Sequence, residues 1–553
     1  MEGFDKEIRA YALKNAIEFG KADAGKILPK LFQHGLDRKD IGKIMPEVQK
    51  IVKEINSMSE SEREKSFSGL KELVKEREEK EKTLPTLKNV EGKVVTRIPP
   101  EPSKHLHVGH AISFLINAYY AEKNNGECIL RFDDANPEKV NKDFVKSILD
   151  DITNYLEIKP DKIVYVSNDI PKLYKYAETL IEKNSAYVCF CDRETMQNLR
   201  HEGKACKCRD SDVNKNLEEW KNLLKGKYSE GVAVLRFKGD MKSNNQVMRD
   251  PVLFRIKGDG KLWPLYDFYT PIEDSTLGVT HILRTVEFDL RVELHQKIQE
   301  ILGLKKQEIV QYGRISVVGE GVDSKKAIQG RDLRAKIESG EYSGWDDIRL
   351  MTVKSLKRRG ITLEVLKELI QQVGLSKKAV KIDFAALASI SRRLLDKKVD
   401  RYYFVSNPKG FEISKIKNFP EVDSVEVKIH PDKSEKRKIK IDKEIFISEE
   451  DYEKNKGKEV RLMNLCNLKI LGSKDVECTG TENKNVQKIQ WVSSYLKVKV
   501  LMDNAEWLSG FAESEVSKLK VGDVVQFERF GFVKLDKKPI SKSGTYEFWF
   551  THK

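Results

Sequence analysis

The sequence predicts a multidomain α/β protein whose central domain is a parallel sheet with helices on both faces. The chain has 553 residues, which is too long for one hydrophobic core and suggests about three or four domains. Residues 90 to about 190 alternate helical periodicity with short apolar strands, the pattern of a parallel sheet covered by helices. From Arg401 onward, short segments alternate apolar with polar residues, as the strands of β-barrels do.

Residues 1–88 predict a helical N-terminal extension. Apolar residues recur at helical spacing from Ile8 to Phe19 and again from Ile41 to Ile55. Residues 59–82 are almost entirely charged, which favours a solvated helix or linker over a site that carries chemistry. We therefore assign no chemistry to this charged stretch.

The composition excludes a membrane protein and favours a polyanionic partner. Charged residues make up 34% of the chain, and no apolar run approaches the roughly 18 residues that a membrane span needs. The first residues include acidic side chains and no apolar core, so they do not form a signal peptide, and we expect a cytoplasmic protein. The net charge of +14 raises the expectation of a nucleic-acid partner without proving one.

The densest polar chemistry of the chain lies between Arg97 and His110. A β-branched run at 93–98 stops at two prolines, which predicts a strand that ends in a turn. After Gly109, apolar residues recur at helical spacing, so His107 and His110 should lie at the start of a helix.

A helix start that carries two histidines is suited to phosphate chemistry. Free N–H groups and the positive end of the helix dipole favour an anion there, and Gly109 lets a ligand approach the backbone closely. Neighbouring imidazoles can donate hydrogen bonds to charge that develops on a phosphate. Taken alone, His107 and His110 could equally be a chance pair on a solvated turn or half of a zinc site, but a zinc site needs further ligands nearby. The surrounding segments favour nucleotide binding.

The strand, the proline-rich turn, His107-Val-Gly-His110 and the following helix together resemble the HIGH motif of class I aminoacyl-tRNA synthetases. Arg97-Ile-Pro-Pro-Glu-Pro-Ser103 before the motif and Ile129-Leu-Arg-Phe-Asp-Asp-Ala-Asn-Pro-Glu138 after it are similar to the glutamyl/glutaminyl group in its archaeal and eukaryotic form. The resemblance implies a Rossmann-type catalytic domain that activates glutamate with ATP and transfers the glutamyl group to the 3′ end of tRNA(Glu). It also implies ATP with Mg²⁺, glutamate and tRNA as the molecules bound, no membrane, and a monomer.

Three alternatives stay open at this point. A glutaminyl-tRNA synthetase would share nearly every motif. A tRNA-binding paralogue with impaired catalysis would bind tRNA without consuming ATP. A small-substrate nucleotidyltransferase would share the histidine motif but would have no use for a β-barrel tail. The sequence also leaves open whether tRNA(Gln) is charged as well.

The resemblance further implies which residues bind the substrates. The amino-acid site would comprise Arg97, Glu101, Asp133, Tyr266 and Arg284, and the ATP site would comprise His107, Gly109, His110, Ser324 and Lys325. Asp133 would hold the amino group, although Asp133-Asp134 could instead cap a helix before Pro137. Arg284 would pair with the side-chain carboxylate of glutamate, where the glutaminyl branch has a small uncharged residue. Without the resemblance, a core aromatic at Tyr266 and a surface ion pair at Arg284 would be the better interpretations.

A flexible basic loop that closes over the triphosphate should follow, and here the sequence departs from the family pattern. The lysines lie in Val322–Ile328, but counting back from the well-matched segment 334–345 places the loop nearer Ile328–Asp332. Lys325, Lys326 or Arg331 could neutralise the leaving pyrophosphate. We favour one of the two lysines over Arg331.

Two Cys-x-Cys pairs, Cys189/Cys191 and Cys206/Cys208, form the candidate metal site. In an extended segment residues i and i+2 share a face, so each pair can present both sulfurs to one ion. Four thiolates would complete a tetrahedral structural zinc site, but the spacing is tighter than the usual zinc knuckle. Bound Zn²⁺ and four free thiols are both open from the sequence.

The resemblance also implies a division of the chain. The expected parts are the catalytic domain in two halves, 89–190 and 259–344, an inserted acceptor-stem domain at 191–258, a helical connector at 345–400 and an anticodon-binding β-barrel region at 401–553. Aromatic residues of this last region could stack on single-stranded RNA, although most should be core: Trp491, Tyr495, Phe530 and Trp549.

Overall fold

The computed structural model describes residues 4–74, 83–317, 330–472, 475–541 and 543–553. The chain forms two compact units, 1–82 and 83–553. Among the described residues, no helix is long and apolar enough to cross a membrane.

The first unit is helical. Its helices are α1 (Asp5–Phe19), α2 (Ala24–Leu31), α3 (Ile41–Ser57) and α4 (Glu60–Ser68). Val48, Ile51 and Ile55 recur on one face of α3 and are buried, which confirms the helical spacing read from the sequence. Helix α4 begins with a capping box in which Ser59 and Glu62 bond each other's backbone N–H groups.

The second unit begins with alternating strands and helices. Up to residue 317 its elements are β1 (Val95–Ile98), α5 (Val108–Lys123), β2 (Glu127–Phe132), α6 (Lys142–Asp150), β3 (Lys162–Tyr165), α7 (Ile170–Glu182), β4 (Ala186–Cys189), α8 (Arg193–Glu202), α9 (Val213–Leu224), β5 (Val234–Phe237), β6 (Val252–Ile256), β7 (Leu262–Pro264), α10 (Tyr266–Thr276), β8 (His281–Thr285), α11 (Val292–Leu302), β9 (Glu308–Tyr312) and β10 (Ile315–Val317). Residues 330–400 add α12 (Gly330–Glu338), α13 (Val353–Arg359), α14 (Leu363–Val373), β11 (Val380–Ile382) and α15 (Phe384–Leu395).

The predicted parallel sheet is present. Strands β1, β2 and β3 pair in parallel, as do β8 and β9. The two groups meet where the Thr280 N–H donates to the Val95 carbonyl at 2.9 Å. The strand order β3-β2-β1-β8-β9 therefore reverses between β1 and β8, the position at which doubly wound sheets open a crevice beyond their carboxyl ends.

An antiparallel sheet is inserted between the two groups of parallel strands. Its order is β4-β5-β6-β7, and α7 and α9 pack on it around the fully buried Trp220. Strands β5 and β6 lie within 191–258, the segment that the resemblance assigned to an inserted domain.

The C-terminal region consists of sheets, as the alternating pattern predicted. Its elements are β12 (Arg401–Tyr402), β13 (Phe404–Ser406), β14 (Pro408–Glu412), β15 (Ser424–Lys428), β16 (Lys436–Lys440), β17 (Glu444–Ser448), α16 (Glu449–Lys454), β18 (Glu459–Leu462), β19 (Asn467–Ile470), β20 (Val476–Gly480), β21 (Gln487–Ile489), β22 (Tyr495–Leu501), β23 (Trp507–Glu513), β24 (Val524–Phe527), β25 (Gly531–Lys537) and β26 (Tyr546–His552). The largest sheet has seven strands in the order β12-β24-β25-β26-β22-β23-β13, and a four-stranded sheet has the order β20-β19-β18-β21. Trp491 and Trp549 are buried in separate cores, whereas Tyr495 is exposed.

Candidate active site

A cleft of about 980 Å³ opens at the reversal between β1 and β8. Eight of the residues predicted to bind substrates line it together: Arg97, Glu101, His107, Gly109, His110, Asp133, Tyr266 and Arg284. They come from the end of β1 and the turn after it, the first turn of α5, the residue after β2, the start of α10 and strand β8. The position agrees with the rule that such sheets bind ligands at a topological switch point.

The two histidines cap the helix that they introduce. His107 is the N-cap of α5, and its Nδ1 accepts the Gly109 N–H at 3.1 Å. His110 Nδ1 accepts the His107 N–H at 3.2 Å, so the pair forms a capping box. Because each Nδ1 is an acceptor, each neutral ring carries its proton on Nε2 and can donate it to a ligand. The side chains therefore have a structural role that the sequence did not reveal.

Burial keeps both rings neutral. It lowers the pKa of His107 to about 4, with a smaller effect from the positive charge of Lys104, and it lowers the pKa of His110 well below its ordinary value. The ring centroids are 3.8 Å apart. A Cβ on Gly109 would lie 2.9 Å from His107 Cε1, so glycine is needed here for the imidazole as well as for a ligand.

A buried charge network lies beneath the cleft. Arg131 donates from Nε to Asp133 at 2.7 Å and from Nη1 to Asp274 at 2.7 Å, and Arg97 Nε donates to the same Asp274 oxygen at 3.2 Å. All four side chains are less than 10% exposed. Burial raises the pKa of Asp274, but Arg97 and Arg131 outweigh it and hold the pKa below its ordinary value. Burial keeps the pKa of Asp133 raised despite Arg131.

Two members of this network, Arg131 and Asp274, were not singled out from the sequence. Arg131 stands two residues before Asp133 on β2 and thus shares its face, which is a local signal. Asp274 lies on α10, 143 residues further along the chain from Arg131, and nothing local marks it.

The neighbouring Asp134 is not a helix N-cap. Its carboxylate accepts the Ser167 N–H at 2.8 Å and the Ser167 hydroxyl at 2.5 Å, which ties the end of β2 to the turn after β3. The next helix, α6, begins only at Lys142 and is capped by Asn141. The alternative of a cap before Pro137 is therefore wrong, and of the two aspartates only Asp133 lines the cleft.

Arg284 is a buried guanidinium without a carboxylate partner in the described part of the chain. It is 5% exposed, and its Nη groups reach only the Tyr266 hydroxyl and the Phe288 carbonyl, each at 3.5 Å. Its Nε has no hydrogen-bond partner among the described residues. Burial lowers the pKa of this arginine, which records the cost of holding the charge there. The surface ion-pair interpretation of Arg284 is wrong.

The rim of the cleft is more exposed. Glu101 is exposed and lies 3.9 Å from Lys139, whereas Tyr266 is half-buried in the cleft. The structure therefore supports a place in the amino-acid site more strongly for Tyr266 than for Glu101. Arg334 in α12 donates to the Ser103 carbonyl at 2.7 Å, which ties α12 to the turn after β1. The predicted loop residues Ser324, Lys325 and Lys326 lie outside the described residues, and Arg331 is described only as a backbone position in the first turn of α12.

The four predicted cysteines come together away from this cleft. Their sulfurs all lie within 4.8 Å of one another, with 3.8 Å between Cys189 and Cys206 and 3.9 Å between Cys191 and Cys208. Tetrahedral thiolates about 2.3 Å from zinc stand roughly 3.8 Å apart, so the spacing fits that ion. The buried Arg236 points Nη1 at Cys189 and Cys206, at 3.7 and 3.5 Å, as a cation beside thiolates would.

Comparison with known families accounts for this arrangement. The family described as tRNA synthetases class I (E and Q), catalytic domain, matches residues 93–397, and the anti-codon binding domains of the same group match 399–490 and 488–536. The chain belongs to the class I glutamyl and glutaminyl tRNA synthetases. Every residue of the cleft lies inside the catalytic-domain match of that family.

The similar relatives are archaeal members of this synthetase family. The glutamate–tRNA ligase of Methanocaldococcus jannaschii is 36% identical, with 97% of this chain and 98% of the relative covered. That of Pyrococcus furiosus is 37% identical, with 95% and 96% covered. The likeness therefore includes the helical first unit and the C-terminal sheets as well as the catalytic part.

Proposed function

We propose that this synthetase is a glutamate–tRNA ligase. The relatives above carry that name, and the observation that supports it within this chain is Arg284. A buried guanidinium without a carboxylate partner in the described chain is costly unless a ligand supplies the carboxylate. The side chain of glutamate supplies one, in the fork geometry that arginine prefers, whereas the amide of glutamine cannot.

The remaining cleft residues have roles that follow from their geometry. Asp133 lines the cleft and offers a carboxylate to the amino group of glutamate, with Arg131 fixing its orientation. The Nε2–H groups of His107 and His110 donate to the α-phosphate region of ATP, and the positive end of the α5 dipole favours the negative charge there. Mg²⁺ would enter with the ATP phosphates and supply neutralisation of their charge.

The reaction then takes place in two displacements. An α-carboxylate oxygen of glutamate bonds to the α-phosphorus of ATP, and the bond to the bridging oxygen breaks with its electron pair leaving on pyrophosphate. The terminal ribose hydroxyl of tRNA next attacks the carbonyl carbon of the mixed anhydride, loses its proton and releases AMP. In the first displacement the neutral imidazoles donate to charge that develops on the phosphate.

Arg284→Cys tests the assignment with glutamate and glutamine, each assayed with ATP and tRNA. Removing the guanidinium should lower kcat/KM for glutamate by roughly 10²- to 10³-fold and affect glutamine far less. Arg314→Cys is the matched control, because Arg314 lines the same cleft but is exposed and pairs with Glu287 at 3.2 Å. An unchanged preference for glutamate over glutamine in Arg284→Cys would remove this support. Charging of a tRNA pool by the wild type decides whether tRNA(Gln) is also a substrate.

We further propose that Lys325 or Lys326, rather than Arg331, serves the leaving pyrophosphate from the loop. Single alanine substitutions separate the three residues. If only Arg331→Ala abolishes charging, the choice of the lysines is wrong.

Zinc is proposed as the occupant of the cysteine cluster, held by Cys189, Cys191, Cys206 and Cys208. It would supply a structural cross-link between β4 and the segment after α8. Protein purified without chelator should contain one equivalent per chain, and Cys191→Ser with Cys208→Ser should contain none. Cys466→Ser with Cys478→Ser is the control, because these buried cysteines lie outside the cluster. A metal content near zero in the wild type would remove the site.

The C-terminal sheets are proposed to form the paired β-barrels that bind the anticodon. Support comes from one exposed face of β22 and β23, where the Tyr495 ring stacks on Phe511 with centroids 3.8 Å apart and Lys499 lies 4.5 Å from the ring of the exposed Trp507. Exposed aromatics beside lysines suit single-stranded RNA. Trp507→Ala should weaken tRNA binding and leave ATP binding unchanged. Truncation near residue 400 is a poor test, because Arg359 in α13 is buried against Thr551.

A further inference from the structure

Lys104 is a cation in the cleft that no contact within the described chain uses. It lies between Ser103 and His105 on the turn that leads from β1 to α5, and it lines the same cavity as His107 and His110. Within the described residues it makes neither an ion pair nor a hydrogen bond.

The other cations of the cleft differ in this respect. Apart from Arg284, each has a polar partner in the described chain: Arg97 with Asp274, Lys139 with Glu101, Arg314 with Glu287, Arg349 with Asp347 and Arg334 with the Ser103 carbonyl. Arg284 lies in the buried amino-acid site, and Lys104 lies beside the capped start of α5. Among the described cations of the cleft, Arg284 therefore has only two contacts of 3.5 Å to neutral oxygens, and Lys104 has no polar partner.

The charge of Lys104 acts on the histidine pair. After burial, it is the next cause of the low pKa of His107, and it also lowers the pKa of His110. Lys104 thus lines the same cavity as the Nε2–H groups and lies near enough for its charge to act on both rings, and the positive end of the α5 dipole is at the same place. Three sources of positive potential around one space favour a ligand with several negative charges.

We propose that Lys104 binds the triphosphate of ATP and stabilises the pyrophosphate as it leaves. This inference rests on the proposed function. When the carboxylate oxygen bonds to the α-phosphorus, the electron pair of the breaking bond passes to the oxygen that joins the α- and β-phosphorus atoms, and the ammonium of Lys104 pairs with that charge. No proton transfer is needed, because the lysine stays protonated throughout.

This role also accounts for a departure in the sequence. The basic loop that should close over the triphosphate departs from the family pattern in this chain. Lys104, on the turn before α5, supplies positive charge from a different segment of the sequence. The turn is held in place by Arg334, which donates to the carbonyl of the preceding residue, Ser103. A cation presented by an ordered turn is preorganised for the displacement.

The test uses Lys104→Met, Lys104→Arg and, as a matched control, Lys139→Met, which removes a cation from the same cleft that already faces Glu101. Glutamate-dependent ATP–pyrophosphate exchange is measured with tRNA present. Lys104→Met should lower kcat/KM for ATP by about 10- to 100-fold with the KM for glutamate unchanged. Lys104→Arg should recover most of the loss, and Lys139→Met should stay within about 2-fold of the wild type.

The outcomes separate the two proposals. Wild-type exchange combined with an unaltered Lys104→Met overturns the role of Lys104 and leaves the proposed function intact. An equal loss for ATP and glutamate with a lower Tm shows that Lys104 only supports the fold. If the wild type does not activate glutamate at all, the proposed function fails, and Lys104 is then judged by equilibrium binding of ATP: weaker binding to Lys104→Met supports it, and equal binding overturns it.

Discussion

Two buried arginines on strands either side of β1 have opposite environments. Arg131 on β2 is fully buried and donates to two carboxylates, those of Asp133 and Asp274. Arg284 on β8 is nearly as buried and has no carboxylate within reach in the described chain. On β2 the cost of burying the charge of Arg131 is therefore offset by carboxylates of the fold. On β8 the cost of burying the charge of Arg284 is left to be offset by a ligand. The comparison distinguishes a residue that holds the site together from one that reads the substrate, although both are arginines in one sheet.

The largest expected effect separates the two arginines by stability. Arg131→Met leaves the buried Asp133 without its cation and Asp274 with Arg97 alone, and it should cost about 3–5 kcal/mol of unfolding free energy. Arg284→Met removes a charge that has no acidic partner, so its stability should equal or exceed that of the wild type while glutamate activation is lost. Urea and thermal denaturation of both variants measure this difference.

A matching loss of stability in Arg284→Met would contradict the comparison, because it would mean that the folded protein itself uses the guanidinium. Retained stability in Arg131→Met would also contradict the comparison, because it would mean that Arg131 does not stabilise the fold. Arg314→Met serves as the reference, since that exposed arginine should have little effect on either quantity.

Each histidine of the pair combines the two roles, holding the fold together and binding the substrate, in a single side chain. Each Nδ1 is used by the backbone at the start of α5, and each Nε2 remains for the ligand. Replacing both with Ala should lower the adenylation rate by at least about 10²- to 10³-fold and also cost about 1–2 kcal/mol of stability through the lost caps. The second effect follows from the capping bonds, which the sequence did not reveal.

His107→Asn distinguishes the two uses of the ring. Asparagine is a good N-cap and should restore stability without restoring the Nε2 donor, so the adenylation rate should stay low. If both stability and rate recover in His107→Asn, the imidazole acts only as a cap. Pyrophosphate exchange and thermal denaturation on the same preparations provide the two measurements.

The sequence predicted features that depend on local patterns, and it missed those that depend on distant partners. Strand β22 was placed by its alternation, and the cysteine pairs were placed by their i, i+2 spacing. Asp274 was missed because its partners are far away in the chain, and in its own helix it resembles an ordinary polar residue. The capping role of His107 was missed because histidine is not a favoured N-cap. Only the three-dimensional structure reveals that its Nδ1 accepts the Gly109 N–H.

The same limit explains how far the site residues could be assigned. The family resemblance identified Arg284. Without that resemblance the sequence favoured a surface ion pair, and only the three-dimensional structure shows that the charge is buried. Asp133 and Asp134 are adjacent and chemically identical, so without the resemblance the sequence could not separate them. The fold does, because Ser167 engages Asp134 and leaves Asp133 facing the cleft.

The smallest expected effect concerns pH and the neutral state of the histidine pair. In the folded protein burial lowers the pKa of His107 to about 4 and that of His110 well below its ordinary value, whereas in the unfolded chain each should titrate near about 6.5. Between these values the unfolded state binds more protons, so stability rises with pH. The contribution is fully present above about pH 6.5 and is lost as pH falls towards about 4. From pH 7 to pH 5 the loss should be roughly 1–2 kcal/mol for His107, and His110 should add a loss of the same sign.

The measurement compares the pH dependence of urea unfolding in the wild type with that of the double variant His107→Asn, His110→Gln. Other titrating groups, including the carboxylates around Arg131, are present in both proteins and cancel in the difference. The double variant should therefore have the shallower slope between pH 7 and pH 5. Parallel slopes would mean that the rings titrate in the folded protein as they do in the unfolded chain, so that burial would not keep them as the neutral Nε2 donors inferred from the caps. A shallower slope would mean that the fold determines the charge state of the two histidines before any ligand binds, as it does for Arg131.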